Sequence, residues 1–175
     1  MNRVPAGCPR SGAKSTDKSP RLIALDWGTS SLRTYLLGRH GELIQEHTKP
    51  WGIMRVPDGD FALAFHALVD DWLQSCPGLP IIAAGMIGSS QDWHEVAYQH
   101  CPAGLGRLAS GLETVHVGGG VRMYIVPGVI EAGPLPNVMR GEETQVVGSL
   151  AREPSLQTRA RLIVPGTHSK WVEVR

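Results

Sequence analysis

The chain has no long hydrophobic run: nowhere in its 175 residues does an apolar stretch approach the roughly 18 consecutive residues needed to cross a bilayer. It also lacks charge of one sign. Lys and Arg total 17 against 16 Asp and Glu, a formal net charge of +1, and no block of like charges supplies a local field, so nucleic acid and anionic lipid are poor partners. Cysteine is scarce. The three present, Cys8, Cys76 and Cys101, are widely spaced and form no C-x-x-C pair, which excludes a zinc ribbon or a dithiol redox motif and fits a reducing cytoplasm. Seven histidines are scattered, with no pair three or four apart on a recognisable helix face, so a histidine metal site is not expected.

What is present is the composition of one ordinary globular core, 42% hydrophobic and 19% charged. Residues 1–20 are rich in Ser, Pro, Gly, Lys and Arg without an apolar segment, and read as a disordered leader, not a secretory signal. Order begins with the apolar run Leu22 to Leu25, which stops at Asp26-Trp27-Gly28-Thr29-Ser30-Ser31. Leu32 to Leu37 and Glu42 to Glu46 follow as two more strands around an Arg39-His40-Gly41 turn, predicting an antiparallel meander. Phe61, Phe65, Leu68, Val69 and Trp72 then recur at spacings of three and four behind Asp60, the pattern of a capped amphipathic helix of about three turns.

Two further strands are expected, Leu79 to Ala84 ending at Gly85-Met86-Ile87-Gly88-Ser89, and Arg122 to Val126 ending at Pro127-Gly128. The stretch between them, Gln91 to Gly120, reads as long and irregular, with a weak helical signal near Leu105 to Leu112. A second helix opens at Gly141-Glu142-Glu143-Thr144, with Val146, Val147 and Leu150 facing inward, and Arg152 to Ala160 reads as a polar connector. Arg161 to Val164 then enters Pro165-Gly166-Thr167-His168-Ser169-Lys170 and returns through Trp171 to Val174, echoing the first hairpin. Ending in that returning strand, the chain has the order of a duplicated domain whose second copy has barely begun. The expected division is a domain over 21–158 and the start of a truncated second domain over 159–175.

Chemistry concentrates at the strand ends. Gly28, Thr29, Ser30 and Ser31 offer turn amides and hydroxyls that can cradle phosphate, with Asp26 placed to hold Mg²⁺ and Arg33 close behind. A plain hairpin turn is the competing reading. Gly166, Thr167, His168, Ser169 and Lys170 repeat the recipe with a cation in place of the carboxylate, and two such loops favour a phosphate clamp. Glu142 and Glu143 stand in the first turn of a helix, where the macrodipole favours negative charge. They cap it, or one of them takes a proton from an acceptor hydroxyl. Arg140 beside them can fork onto a substrate carboxylate or pair with a neighbouring acid.

Taken together, Leu25 to Arg33, Ala84 to Ser89, Val126 to Gly128, Asn137 to Gln145 and Val164 to Trp171 resemble the 2-dehydro-3-deoxygalactonokinase family, in family order from about Leu22 onward. That resemblance implies an α/β, ribonuclease-H-like fold of the actin-like ATPase and sugar-kinase superfamily. It implies phosphorylation of 2-dehydro-3-deoxy-D-galactonate at its 6-hydroxyl with ATP and Mg²⁺. It further implies that Asp26 to Ser31 form the first phosphate loop and Gly166 to Lys170 the second. Glu142 is then the preferred base with Glu143 second, and Met86, Gly88, Ser89, Trp93 and Arg140 line the sugar-acid pocket. Trp27 and Trp93 are residues that more often pack than serve as ligand platforms. Rival readings are a non-catalytic sugar-acid-binding module or subunit of a split kinase, and a kinase of the same superfamily for another sugar. Oligomeric state is not legible.

Overall fold

The computed structural model describes residues 19–89, 93–166 and 168–175. The expected leader, save its last two residues, and Thr167 of the second loop lie outside the described residues. The elements run β1 (Leu22–Trp27), β2 (Leu32–Leu37), β3 (Leu43–Lys49), α1 (Phe61–Ser75), β4 (Ile81–Gly85), β5 (Gln99–His100), α2 (Leu105–Ser110), β6 (Glu113–His116), β7 (Arg122–Ile125), β8 (Val129–Glu131), β9 (Asn137–Met139), α3 (Glu142–Arg152), β10 (Ala160–Val164) and β11 (Lys170–Val174). The architecture is mixed α/β, built on a six-stranded sheet ordered β3-β2-β1-β4-β7-β6. The meander β1-β2-β3 is antiparallel, as its turn residues predict, while β4 and β7 run parallel to β1.

Period-two alternation decides which side of the sheet is core. Ile23, Leu25 and Trp27 of β1 are buried, and so are Leu32, Thr34 and Leu36 of β2 and Ile81 and Ala83 of β4. On that face lies α1, whose Ala64, Phe65, Leu68, Val69 and Trp72 join the same cluster. Its start is fixed by Asp60, whose Oδ1 accepts the Leu63 amide at 2.9 Å. Its seat is fixed by polar contacts as well: Trp72 Nε1 donates to Gln45 Oε1 at 2.9 Å, and the His47 ring stacks on Trp72 at 4.5 Å. The parallel crossover from β1 to β4 through α1 therefore rests on one continuous apolar layer.

Several expectations need correction. The stretch from Gln91 to Gly120 is not uniformly irregular, because Glu113–His116 forms β6, paired antiparallel with β7. Gly118 to Gly120 make the tight turn of that hairpin, closed by Val117 N–H donating to Val121 O at 3.1 Å. The strand from Arg122 does stop before Pro127-Gly128, but two unforeseen strands, β8 and β9, follow and form, with β5, a separate three-stranded sheet. These strands are two or three residues long, too short for alternation to show. In α3, Val146 is buried but Val147 and Leu150 are only half-buried. Cys76 is buried, while Cys101 is free and exposed. Among the described residues no helix is long and apolar enough to cross a membrane.

The last element is a two-stranded antiparallel sheet of β10 and β11, in register from Ala160 opposite Val174 to Val164 opposite Lys170. Its faces differ. Leu162, Val164, Val172 and Val174 are half-buried, whereas Ile163 and Trp171 are exposed.

Candidate functional site

Parallel strands carry their ligand-facing loops at the carboxyl ends, and here the ends of β1 and β4 meet the start of α3. The loop after β1 is closed by Gly28 N–H donating to Ser31 O at 2.9 Å, and braced from below by Ile53 N–H donating to Gly28 O at 3.0 Å. Gly52 sits so close beneath it that a Cβ there would stand 2.2 Å from Thr29 O and 2.3 Å from Ser30 N. Thr29 and Ser30 are exposed, so their hydroxyls face outward from a turn that cannot sag. Asp26 and Arg33 face each other across the β1–β2 pair, with Arg33 Nη1 donating to Asp26 Oδ2 at 3.0 Å. Both side chains are nearly half exposed, which leaves the carboxylate reachable from solvent.

Residue 85 ends β4 with φ of +100°, and residue 141 precedes α3 with φ of +111°. Both are glycine because an L side chain rarely adopts that backbone. They also touch: a Cβ on Gly141 would lie 3.1 Å from Gly85 Cα, and one on Gly85 would lie 2.7 Å from Trp27 O. Three chain segments thus stack backbone on backbone at one point.

The acids of α3 turn back onto this junction. Glu142 Oε2 accepts the Arg140 amide at 3.0 Å, and the Glu143 carboxylate accepts the Gly141 amide through both oxygens, at 2.9 and 2.8 Å. Glu142 is half-buried, but Glu143 is only 2% exposed. Burial pushes the Glu143 carboxyl up to about 7, with the Glu142 charge adding, although its own amide, the Gly141 amide and the Thr144 hydroxyl hold it back.

Arg140 is buried at 8% exposure. Its guanidinium lies 4.1 Å over the Tyr98 ring, and Nη2 donates to Val96 O at 2.8 Å. Nε and Nη1 are buried without a hydrogen-bond partner. Gly88 makes room for the group, since a Cβ at that position would stand 2.8 Å from Arg140 Nη1.

Of the residues expected in the sugar-acid pocket, Gly88 and Arg140 are therefore brought together, with Met86 half-buried in the same turn and Ser89 N–H donating to Met86 O at 2.9 Å. Trp93 lies 6.4 Å from Trp27 and 6.1 Å from Phe61, ring centroid to centroid, a packing cluster under the first loop. In the second loop, Gly166, His168 and Ser169 are exposed, and Lys170 Nζ donates to Asn137 Oδ1 at 2.9 Å, which ties the hairpin to β9. Among the described residues no group of three or more His, Cys, Asp or Glu is placed to hold a metal.

Residue-by-residue reading missed Gly85, Val96, Tyr98 and Gly141. The two glycines carried a signal, each standing where a regular element begins or ends. Val96 and Tyr98 carried none, because they lie in a segment without regular structure.

A family model described as 2-keto-3-deoxy-galactonokinase matches residues 26–175. A protein of Rhizobium meliloti (strain 1021) named as a 2-dehydro-3-deoxygalactonokinase is 38% identical over 157 residues, covering 86% of this chain and 48% of its own length. The 2-dehydro-3-deoxygalactonokinase of Escherichia coli (strain K12) is 34% identical over 155 residues, covering 87% of this chain and 49% of its own. A crystal structure from Sinorhizobium meliloti carrying the same enzyme name superposes with a TM-score of 0.76 at 33% identity, over 87% of this chain and 50% of that one. The chain spans about half the length of the curated relatives it matches.

Proposed function

The chain belongs to the 2-keto-3-deoxy-galactonokinase family, and we propose that it serves the ATP-dependent phosphorylation of 2-dehydro-3-deoxy-D-galactonate at its 6-hydroxyl. The observation that carries this reading is the junction at Gly85, where the loop after β1, the turn after β4 and the start of α3 are held in backbone contact. Phosphoryl transfer asks for little covalent chemistry from the protein and much positioning, and such a junction supplies positioning. The sheet order, with three antiparallel strands leading into parallel ones, supports a ribonuclease-H-like domain over 21–158, followed from 159 by the opening hairpin of a second.

In this reading the Gly28 to Ser31 loop receives phosphate on its amides and on the Thr29, Ser30 and Ser31 hydroxyls, and Arg33 adds positive charge at its rim. Gly166 to Lys170 receive the outer phosphates from the other side. Mg²⁺ is commonly held by one or two carboxylates together with substrate phosphates. The reachable, single carboxylate of Asp26 fits that demand and would hold the ion, which supplies neutralisation of phosphate charge. The acceptor lies along Met86, Gly88, Ser89 and Arg140, whereas Trp93 packs against Trp27 and Phe61.

Glu142 takes the proton of the acceptor hydroxyl. It is the more reachable of the two acids, whereas Glu143, with its value near that of a useful base, is sealed in and serves to hold the Gly141 turn. The test is ADP release coupled to acceptor, in the intact protein carrying this chain. The keto-deoxy acid should trigger ADP release from MgATP, and Glu142→Gln should lower kcat by about 10²- to 10⁴-fold. Absence of acceptor-dependent ADP release with every aldonate-derived keto acid would sink the kinase reading.

A second reading, a non-catalytic sugar-acid-binding module or subunit of a split kinase, is favoured by one observation. The Arg140 environment, formed by Gly88, Val96 and Tyr98, lies wholly within this chain. Binding of the acid without turnover would select it. Turnover of an uncharged sugar instead would select a kinase of different acceptor.

A further inference from the structure

We propose that Arg140 is the residue that recognises the carboxylate of the acceptor, so that the site selects sugar acids over neutral sugars. The inference rests on the sugar-acid reading above and deepens it by naming the group that is read. A guanidinium is always charged, and burying one is costly unless its N–H groups find acceptors. Here Nη2 has Val96 O, and the ring of Tyr98 covers one face. Nε and Nη1 have nothing. No carboxylate of the described residues is hydrogen-bonded to the group: of the two nearest acids in sequence, Glu142 accepts the Arg140 amide through Oε2 and Glu143 accepts the Gly141 amide through both oxygens. A buried cation with unmet donors is complementary to an anion supplied from outside, and the planar fork of arginine matches a carboxylate in particular.

Two further features fit that assignment. Tyr98 and Val96 fix the guanidinium before any ligand arrives, which limits the rotamer entropy lost on binding. The bare Cα of Gly88 lets Nη1 approach the turn after β4, since a Cβ there would stand 2.8 Å from it. The placement also suits a linear acid. Arg140 and Glu142 are two residues apart at the start of α3, so one end of the ligand meets the cation while a hydroxyl further along meets the carboxylate.

The deciding experiment uses the ¹⁵N-labelled chain titrated with 2-dehydro-3-deoxy-D-galactonate, with D-galactose as the uncharged control. The Arg140 Nε–H resonance, assigned through bonds from its own amide, should shift with the acid and stay put with the sugar. By calorimetry, Arg140→Lys should weaken acid binding about tenfold, since it keeps the charge but loses the fork. If that variant fails to fold, the resonance of the unaltered chain still decides. Should the acid move the amides of Gly85 and Gly88 while the Arg140 Nε–H does not respond, or should Arg140→Lys bind as well as the parent, this proposal is overturned and the kinase reading stands. No response anywhere to the acid overturns both the proposal and the sugar-acid acceptor.

Discussion

The two Gly-Thr hairpins look alike as sequence and differ sharply as structure. The first is the centre of the molecule: β1 and β2 lie inside a six-stranded sheet, Trp27 is fully buried, and Gly52 and Ile53 brace the loop from beneath. The second is a two-stranded ribbon with Ile163 and Trp171 outside and, among the described residues, a side-chain hydrogen bond from Lys170 to Asn137 reaching back to β9. An echo between motifs reports shared residue types at the bend. It does not report shared support, because support comes from what packs beneath the loop, and that is encoded far away in residues such as Trp51, Gly52 and Phe61.

The contrast can be broken by paired substitutions. Trp27→Ala removes a side chain with 0% exposure and should destabilise the chain by about 3–5 kcal/mol in urea denaturation. Trp171→Ala, at 73% exposure, should fall within about 0.5 kcal/mol. Equal losses would mean that the second hairpin is as well supported as the first.

Next in size is a pH effect between the hairpins, at Glu143. Its carboxyl is raised from 4.5 to about 7 in the folded chain, so the native state holds the proton more tightly than the unfolded state does. Stability from this group is then fully present below about pH 4.5 and lost as pH rises toward about 7, by a total on the order of 3 kcal/mol. Denaturation midpoints compared at about pH 5 and about pH 8 should differ in the parent, and Glu143→Gln should flatten that dependence. A slope unchanged in the variant would assign the effect to another group.

The smallest effect sharpens the picture of the loops themselves. Gly52→Ala places a methyl against the Thr29–Ser30 backbone at about the distance of a covalent clash, and should cost about 1–3 kcal/mol. Gly166→Ala meets nothing closer than 3.9 Å and should be near neutral. Thermal melts of the two variants suffice.

These differences mark what the sequence could and could not reveal. Strands β1, β2 and β4 and helix α1 were legible because each is long enough for its period to repeat and each is bounded by a turn or a cap. Asp60 is an example, an expected cap that does accept the Leu63 amide. Strands β5, β8 and β9 were not, because two or three residues carry no period and the pairing is tertiary. At the site, the acids and Arg140 were legible as residue types at a helix start. Their division of labour was not. Nothing in Glu142-Glu143 says which carboxylate is sealed, since that depends on α3 meeting the end of β4. Nor could the scattered spacing of Val96, Tyr98 and Arg140 reveal that they form one enclosure.

The meeting of Gly85 with Gly141 has a consequence for how this protein can vary. At that point the end of the central sheet and the start of the acidic helix meet main chain to main chain, with no side chain on either glycine to trim or swap. Scanning by side-chain truncation would pass over the joint without a trace, while any added carbon on either partner would wedge the helix away from the Trp27 carbonyl. The distance between the end of β4 and the start of α3 is thus set by the absence of atoms, a dimension that substitution can enlarge but never reduce.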